Sequence, residues 1–169
     1  MLEDDGSRQV ELYLLRHAHA GDPETWQGDD DERPLTDKGR RQSERLGQFL
    51  DSVGFRPDII VSSPKRRALE TARIVGKRLK TDVAVDERLA DEVSLSTVEE
   101  LLGAFDEARR AVLVGHDPDF SALVALLCGA SRVPLRKGAL ARIDAERPLG
   151  PGGGVLRWLI PPDLLAKER

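Results

Sequence analysis

A chain of 169 residues, 40 % hydrophobic and 33 % charged, is an ordinary soluble protein with length for one domain and its own core. Its formal net charge of −4 argues against a nucleic-acid partner, and its lone Cys128 excludes an internal disulfide and points to a reducing compartment. Its acidic first six residues do not read as a signal peptide, and no apolar run approaches the roughly 20 residues needed to cross a bilayer, so a cytoplasmic protein without membrane contact is expected.

Residues 1–9 read as a flexible tail on a single domain spanning 1–169. Residues 10–16 form the first strand, whose side-by-side apolar residues mark burial on both faces. A long polar loop follows to Leu35, carrying Trp26 and the acidic run Asp29-Asp30-Asp31-Glu32, which like-charge repulsion leaves solvated. Thr36 is a good N-cap for a helix with an apolar face of Leu46, Phe49, Leu50 and Val53 and a stop at Gly54. Residues 58–61 are the second strand. Ser63 then caps, and Pro64 opens, a helix that buries Ala68, Thr71, Ala72, Val75 and Leu79.

A third strand fits residues 82–85. Ser96-Thr97-Val98-Glu99 reads as a capping box for a helix with Val98, Leu101, Leu102 and Phe105 on its inner face. Residues 111–114 are the fourth strand, ending in Gly115-His116. Asp117 caps and Pro118 starts a helix with apolar positions Phe120, Leu123, Val124, Leu126 and Leu127, which stops at Gly129. Cys128 falls at its end and is expected to be buried. Residues 139–144 and 155–160 form an edge hairpin around a Gly-rich loop at 146–154. Alternating strands and helices imply an α/β fold with a mostly parallel central sheet.

Three of these strands end in related chemistry: Arg16-His17, then Ser62-Ser63-Pro64 with Arg67 close behind, then Gly115-His116. Parallel strands deliver their C-terminal ends to one sheet edge, where ligands of open α/β sheets bind. Two guanidiniums, two imidazoles and nearby helix N-termini describe a phosphate pocket. No P-loop glycine pattern, paired metal carboxylates or Gly-x-Ser-x-Gly elbow competes with it.

Four segments carry a resemblance: Leu15-Arg16-His17-Ala18, Pro34-Leu35-Thr36-Asp37-Lys38-Gly39, Ser62-Ser63-Pro64-Lys65-Arg66-Arg67-Ala68-Leu69-Glu70-Thr71-Ala72, and Val114-Gly115-His116-Asp117. Together, and in this order, they resemble the histidine phosphatase superfamily, which includes the cofactor-dependent phosphoglycerate mutases. The short length and Arg33-Pro34-Leu35-Thr36 are most similar to the compact SixA-type phosphohistidine phosphatases. The resemblance implies a three-layer α/β/α sandwich of the phosphoglycerate mutase-like kind. It implies His17 as the nucleophile that becomes phosphohistidine, Arg16 and Arg67 as clamps on the phosphoryl oxygens, and His116 as a donor to one of them. It implies neither cofactor nor metal.

Ala18 replaces the glycine usual in the family. Ala20 stands where the mutases carry a hydroxyl residue, and no Trp-Asn follows, which weighs against a mutase. The family's carboxylate acid falls in the loop after the third strand, where Asp91 and Glu92 are the candidates. A phosphorylated imidazole can leave as neutral imidazole, so a weak acid suits a phosphohistidine substrate better than a sugar phosphate, whose alkoxide needs a proton. His19 lies near the pocket mouth, as a substrate-binding residue or a proton donor; His17-Ala18-His19 as a metal pair would belong to a barrel about 250 residues long. Arg33 lines the rim or pairs with the acidic run. Lys65-Arg66 faces solvent or steers a phosphorylated partner. Trp26 is a packing anchor or a docking aromatic.

The expected activity is removal of phosphate from phosphohistidine on a signalling or phosphotransfer protein, through an open, shallow pocket. The rivals are a small-molecule phosphatase acting on a sugar phosphate or nucleotide, and a non-catalytic module that binds phosphorylated partners.

Overall fold

Alternation of apolar side chains along the strands loads both faces of one six-stranded sheet in the computed structural model, which describes residues 8–165. The strands are β1 (Gln9–Arg16), β2 (Ile59–Ser62), β3 (Val83–Val85), β4 (Arg110–Gly115), β5 (Leu140–Glu146) and β6 (Gly154–Ile160). The helices are α1 (Asp37–Ser52), α2 (Arg66–Leu79), α3 (Leu95–Ala104) and α4 (Asp119–Cys128). Strand order is β3-β2-β4-β1-β5-β6. The first four of these are mutually parallel, while β5 runs antiparallel to both β1 and β6.

Tyr13, Leu15, Ile60, Val112 and Val114 point to one face, under Leu46 and Leu50 of α1 and Ala68, Ala72, Val75 and Leu79 of α2. Leu12, Leu14, Val61, Ala111 and Leu113 point to the other, under Val98, Leu101 and Leu102 of α3 and Phe120, Leu123, Val124 and Leu127 of α4. Period-two alternation thus produces the expected three-layer α/β/α sandwich, and β5 and β6 form the expected edge hairpin.

Local boundaries differ in several places. Residues 1–7 lie outside the described residues, but Gln9 already belongs to β1, and the Arg8 carbonyl accepts from Arg147 N at 2.8 Å. α2 begins at Arg66, not Pro64, and Ser63 is not its cap. The capping box is Ser94 with Thr97, two residues earlier than expected; Ser94 Oγ accepts from Thr97 N, and Thr97 Oγ1 accepts from Ser94 N. The threonine hydroxyl does the work expected of Glu99, which leaves Glu99 free to hold Arg147. α4 begins at Asp119, yet Asp117 still accepts from Ser121 N and Ser121 Oγ. Val53 and Leu126, assigned to apolar faces, are exposed at 62 % and 45 %. Cys128 is only partly buried.

The long loop is fastened to α1 by Thr36. Its hydroxyl accepts from Gly39 N and donates to the His19 carbonyl, and its N–H donates to the same carbonyl at 3.1 Å. A Cβ at Gly39 would overlap that carbonyl oxygen. Gly39→Ala therefore forces loop and helix apart, and its urea midpoint is expected to fall by the equivalent of about 1–3 kcal/mol.

Candidate active site

β1, β2 and β4 are adjacent and parallel, so their C-terminal ends share one edge of the sheet. Backbone bonds carry the register past the strands: His17 N donates to Gly115 O at 3.0 Å, and Ser63 N donates to Val114 O at 2.9 Å. Arg16, His17, Ser63 and His116 are thereby held on the scaffold rather than on free loops. Thr71 joins α2 to this edge, accepting from Ala18 N at 3.0 Å and donating to Arg67 O at 2.7 Å. These groups converge on a cavity of about 680 Å³. Arg16, His17, Arg33, Lys65, Arg67, His116 and Lys137 are its basic lining residues, and Asp91, Glu92, Asp117 and Asp119 its acidic ones.

The His17 ring is buried, and its Nδ1 lies 2.7 Å from the Ala18 carbonyl. A carbonyl only accepts, so we assign the proton of the neutral ring to Nδ1, which leaves the lone pair on Nε2. The His116 ring stands 5.3 Å away, centroid to centroid. Its Nε2 is 2.8 Å from Ser63 Oγ, which in turn accepts from Lys65 N. We assign the tautomer in which the Ser63 hydroxyl donates to Nε2 and the His116 proton is carried on Nδ1. That Nδ1 is buried without a partner, as are Nε of Arg16 and Nε of Arg67. Among the described residues, three polar nitrogens of the cavity residues thus lack a protein partner, against the general rule that buried polar groups are paired.

The guanidiniums are positioned by their remaining nitrogens. Arg16 Nη1 donates to Leu135 O at 2.8 Å and lies 3.4 Å from Asp117. Arg67 Nη1 donates to Asp30 O at 2.8 Å, and its Nη2 lies 3.3 Å from the Asp30 carboxylate. The Arg33 hydrogen bond holds the Asp30 carboxyl below its usual range, with Arg67 adding to the effect. Burial drives both imidazoles down, to about 3 for His17 and about 3 for His116, and nearby cations reinforce the shift. Both rings are therefore neutral near pH 7.

An unfolded histidine titrates near 6.5. Between about 6.5 and 3 the unfolded chain binds the additional protons, so stability is full above this window and falls as pH drops through it. The urea midpoint is expected to be lower at pH 5 than at pH 7. A His17→Gln, His116→Gln double variant should lose less over the same interval.

Arg33 takes both roles foreseen for it: it lines the cavity, and its Nε donates to Asp30 at 2.9 Å. Asp91 and Glu92 also line the cavity, but Asp91 accepts from Lys65 at 2.8 Å, and this bond holds its carboxyl low. His19 is set apart, with Nδ1 at 2.7 Å from Thr36 Oγ1, and is not among the lining residues. The acidic run is not simply solvated, because Asp30 binds Arg33 and Arg67, and Asp31 lies 3.6 Å from Lys65. Lys65 faces the cavity rather than solvent, while Arg66 is exposed and pairs with Glu70. Trp26 is half-exposed, its Nε1 donating to Asp29 O.

Sequence reasoning missed Lys65, Lys137, the tie of Asp117 to Arg16 and the tie of Ser63 to His116. Lys65 had a signal in its place between a strand end and Arg67. Lys137 had one in its place just before β5. Among the described residues, no group of three or more His, Cys, Asp or Glu is placed to hold a metal ion, and no helix is long and apolar enough to cross a membrane.

Known proteins share this arrangement to different extents. An uncharacterised protein of the cyanobacterium Picosynechococcus is 36 % identical over 113 residues, covering 65 % of this chain and 68 % of its own length. An acid phosphatase of Mycobacterium tuberculosis is 36 % identical over 80 residues, covering 42 % of this chain and 36 % of its own. The structure of the protein histidine phosphatase SixA complexed with tungstate superimposes with a TM-score of 0.81 at 24 % identity, over 93 % of this chain and all of that one. The model of the histidine phosphatase superfamily (branch 1) matches residues 12–114, the stretch that supplies β1 to β4 and, at their ends, Arg16, His17 and Arg67. With more than half its length matched, the chain belongs to the histidine phosphatase superfamily and is an enzyme of that phosphatase class.

Proposed function

We propose that this chain is a metal-independent phosphohistidine phosphatase that dephosphorylates a signalling or phosphotransfer protein through a phosphohistidine formed on its own His17. The observation that carries this reading is the fixed lone pair. The Ala18 carbonyl holds the Nδ1 proton of His17, so Nε2 is a neutral, permanently available nucleophile. Arg16 and Arg67 supply positive charge around the transferring phosphoryl group, and the unpartnered Nδ1 of His116 supplies a donor to an oxygen whose charge grows.

Nε2 of His17 forms the new P–N bond as the P–N bond of the substrate breaks. The substrate imidazole, protonated on its other ring nitrogen, leaves neutral. Water then attacks the phosphoryl group on His17, releasing phosphate and restoring the free ring. No side-chain acid is required in the first step. This suits a cavity in which the Lys65 ammonium keeps Asp91 ionised. An alkyl phosphate would instead ask that carboxylate for a proton. The structurally similar SixA is complexed with tungstate, a phosphate-like anion, which supports an oxyanion ligand for this fold.

Single-turnover assays in the presence of chelator test the proposal, with a histidine-phosphorylated protein and an aryl phosphate as parallel substrates. Rapid loss from the protein and slow aryl turnover are expected. Turnover of free phosphate esters, with no effect on the phosphorylated protein, would instead make this a small-molecule phosphatase. Absence of turnover with both would leave a phosphate-binding module.

A further inference from the structure

A second groove, of about 610 Å³, shares Arg16 and Lys137 with the catalytic cavity. Its other basic residues are Lys38, Arg41 and Arg45 from α1 and Arg136 from the segment before β5; Asp163 is its acidic lining residue. Lys38, Arg41 and Arg45 follow helical spacing, so they share one face of α1 and extend about 10 Å along it.

What sets these cations apart is that they line one groove together, whereas many other cations of the chain are answered by carboxylates. Arg40 sits on Asp37 and Glu70, Arg56 on Asp51, and Arg147 on Glu99 and Asp106. Among the described residues, none of Lys38, Arg41, Arg45, Arg136 and Lys137 has a carboxylate within ion-pair distance. In a protein of net charge −4, an unneutralised basic stripe is a local field of reversed sign. Crowding has a cost that the fold does not relieve: burial and the neighbouring Arg16, Arg33 and Arg67 hold the Lys137 ammonium below its usual range.

We propose that this groove docks an acidic face of the phosphorylated protein substrate, next to the phosphohistidine seated at His17. The proposal rests on the phosphohistidine reading above and names the chemistry of its partner. A monophosphorylated metabolite places its one anionic group between Arg16 and Arg67 and leaves the α1 cations unanswered. Several carboxylates spread over about 10 Å, as along one face of a helix, match them. Such complementarity acts mainly on encounter and orientation, so it belongs in KM and salt dependence rather than in the chemical step.

The test is an Arg41→Glu, Arg45→Glu variant of the full chain, with Arg41→Gln, Arg45→Gln as a milder partner. Both residues lie outside the catalytic cavity, and Arg, Glu and Gln have similar helix propensities. For a histidine-phosphorylated acidic protein, KM is expected to rise about tenfold or more in the Glu variant and less in the Gln variant. Its kcat and all aryl phosphate kinetics should stay at wild-type values. Added salt should raise KM for the wild type and have less effect on the variants. An unchanged KM, or equal losses on both substrates, would overturn the proposal.

Binding separates this surface from the catalytic assignment. A fluorescent Glu-rich peptide of about 12 residues should bind wild type at low salt and lose about tenfold in the Glu variant. Groove-dependent peptide binding without hydrolysis of protein phosphohistidine would keep the acidic docking surface and remove the phosphohistidine reading. Stronger groove-dependent binding of inorganic tripolyphosphate, or of phosphatidylserine vesicles, would overturn it in favour of a polyphosphate or a lipid surface.

Discussion

His17→Ala is expected to reduce single-turnover dephosphorylation by on the order of 10⁴-fold or more, the scale on which loss of a covalent nucleophile falls. The ring combines three features that no neighbour combines. It presents a lone pair at Nε2, it is neutral near pH 7 because burial suppresses its protonation, and its Nδ1 is anchored to Ala18. His116 cannot replace it, since its Nε2 is occupied by Ser63 Oγ. The variant should still bind inorganic phosphate, because Arg16 and Arg67 are held by contacts that do not involve His17. Rapid-quench assays with a histidine-phosphorylated protein give the rate, and titration calorimetry with phosphate gives the binding. Turnover near the wild-type rate would remove His17 from the chemistry. Loss of phosphate binding as well would show that the alanine had disturbed the pocket itself.

Arg67→Met is the second large effect, with an expected loss of about 10³-fold or more in kcat/KM, the lower end of what a guanidinium contributes to phosphoryl transfer. Arg67 is buried, and its Nε lacks a partner while its two terminal nitrogens hold Asp30. The substitution removes a positive charge from the cavity and, among the described residues, leaves Arg33 as the one remaining ion-pair partner of the Asp30 carboxylate. Its direction on the carboxylate is fixed: without Arg67 the Asp30 pKa moves upward. Arg67→Lys restores charge but cannot reproduce a fork that serves Asp30 and a phosphoryl group together, so only part of the loss should return. Steady-state kinetics on the same substrate, with a thermal melt to confirm folding, decide the matter. A Lys variant as active as wild type would mean that charge alone matters here.

Arg16, His17, Arg67 and His116 were legible as neighbours because each lies at or just beyond a strand end, where backbone topology alone determines position. The three layers were legible for a related reason, since alternation along β1, β2 and β4 needs no knowledge of loops. Lys65 was misread because its exposure depends on Asp31 and Asp91, brought from distant loops that spacing does not describe. The pairing of Arg16 with Asp117 and that of Arg67 with Asp30 were hidden for the same reason. At α3, a threonine at the third helical position performs the reciprocal bond usually expected of a glutamate, and the start shifted with it. The α2 start slipped because the Ser63 hydroxyl turns to His116 and Lys65 N instead of capping.

The central place of β1 also dictates when this molecule becomes competent during synthesis. β1 emerges before the other five strands, yet its parallel neighbour β4 pairs Arg110 with Glu11 across about a hundred intervening residues, and its other neighbour β5 follows later still. A nascent chain that stops before Arg110 has made His17 but neither β4, the parallel strand beside it, nor the second imidazole. Contacts so far apart in sequence close slowly, because the intervening loop must first surrender its entropy. Maturation of the catalytic edge is thus a late, nearly all-or-none event of folding, and truncated products ending within the first hundred residues carry His17 without a pocket around it.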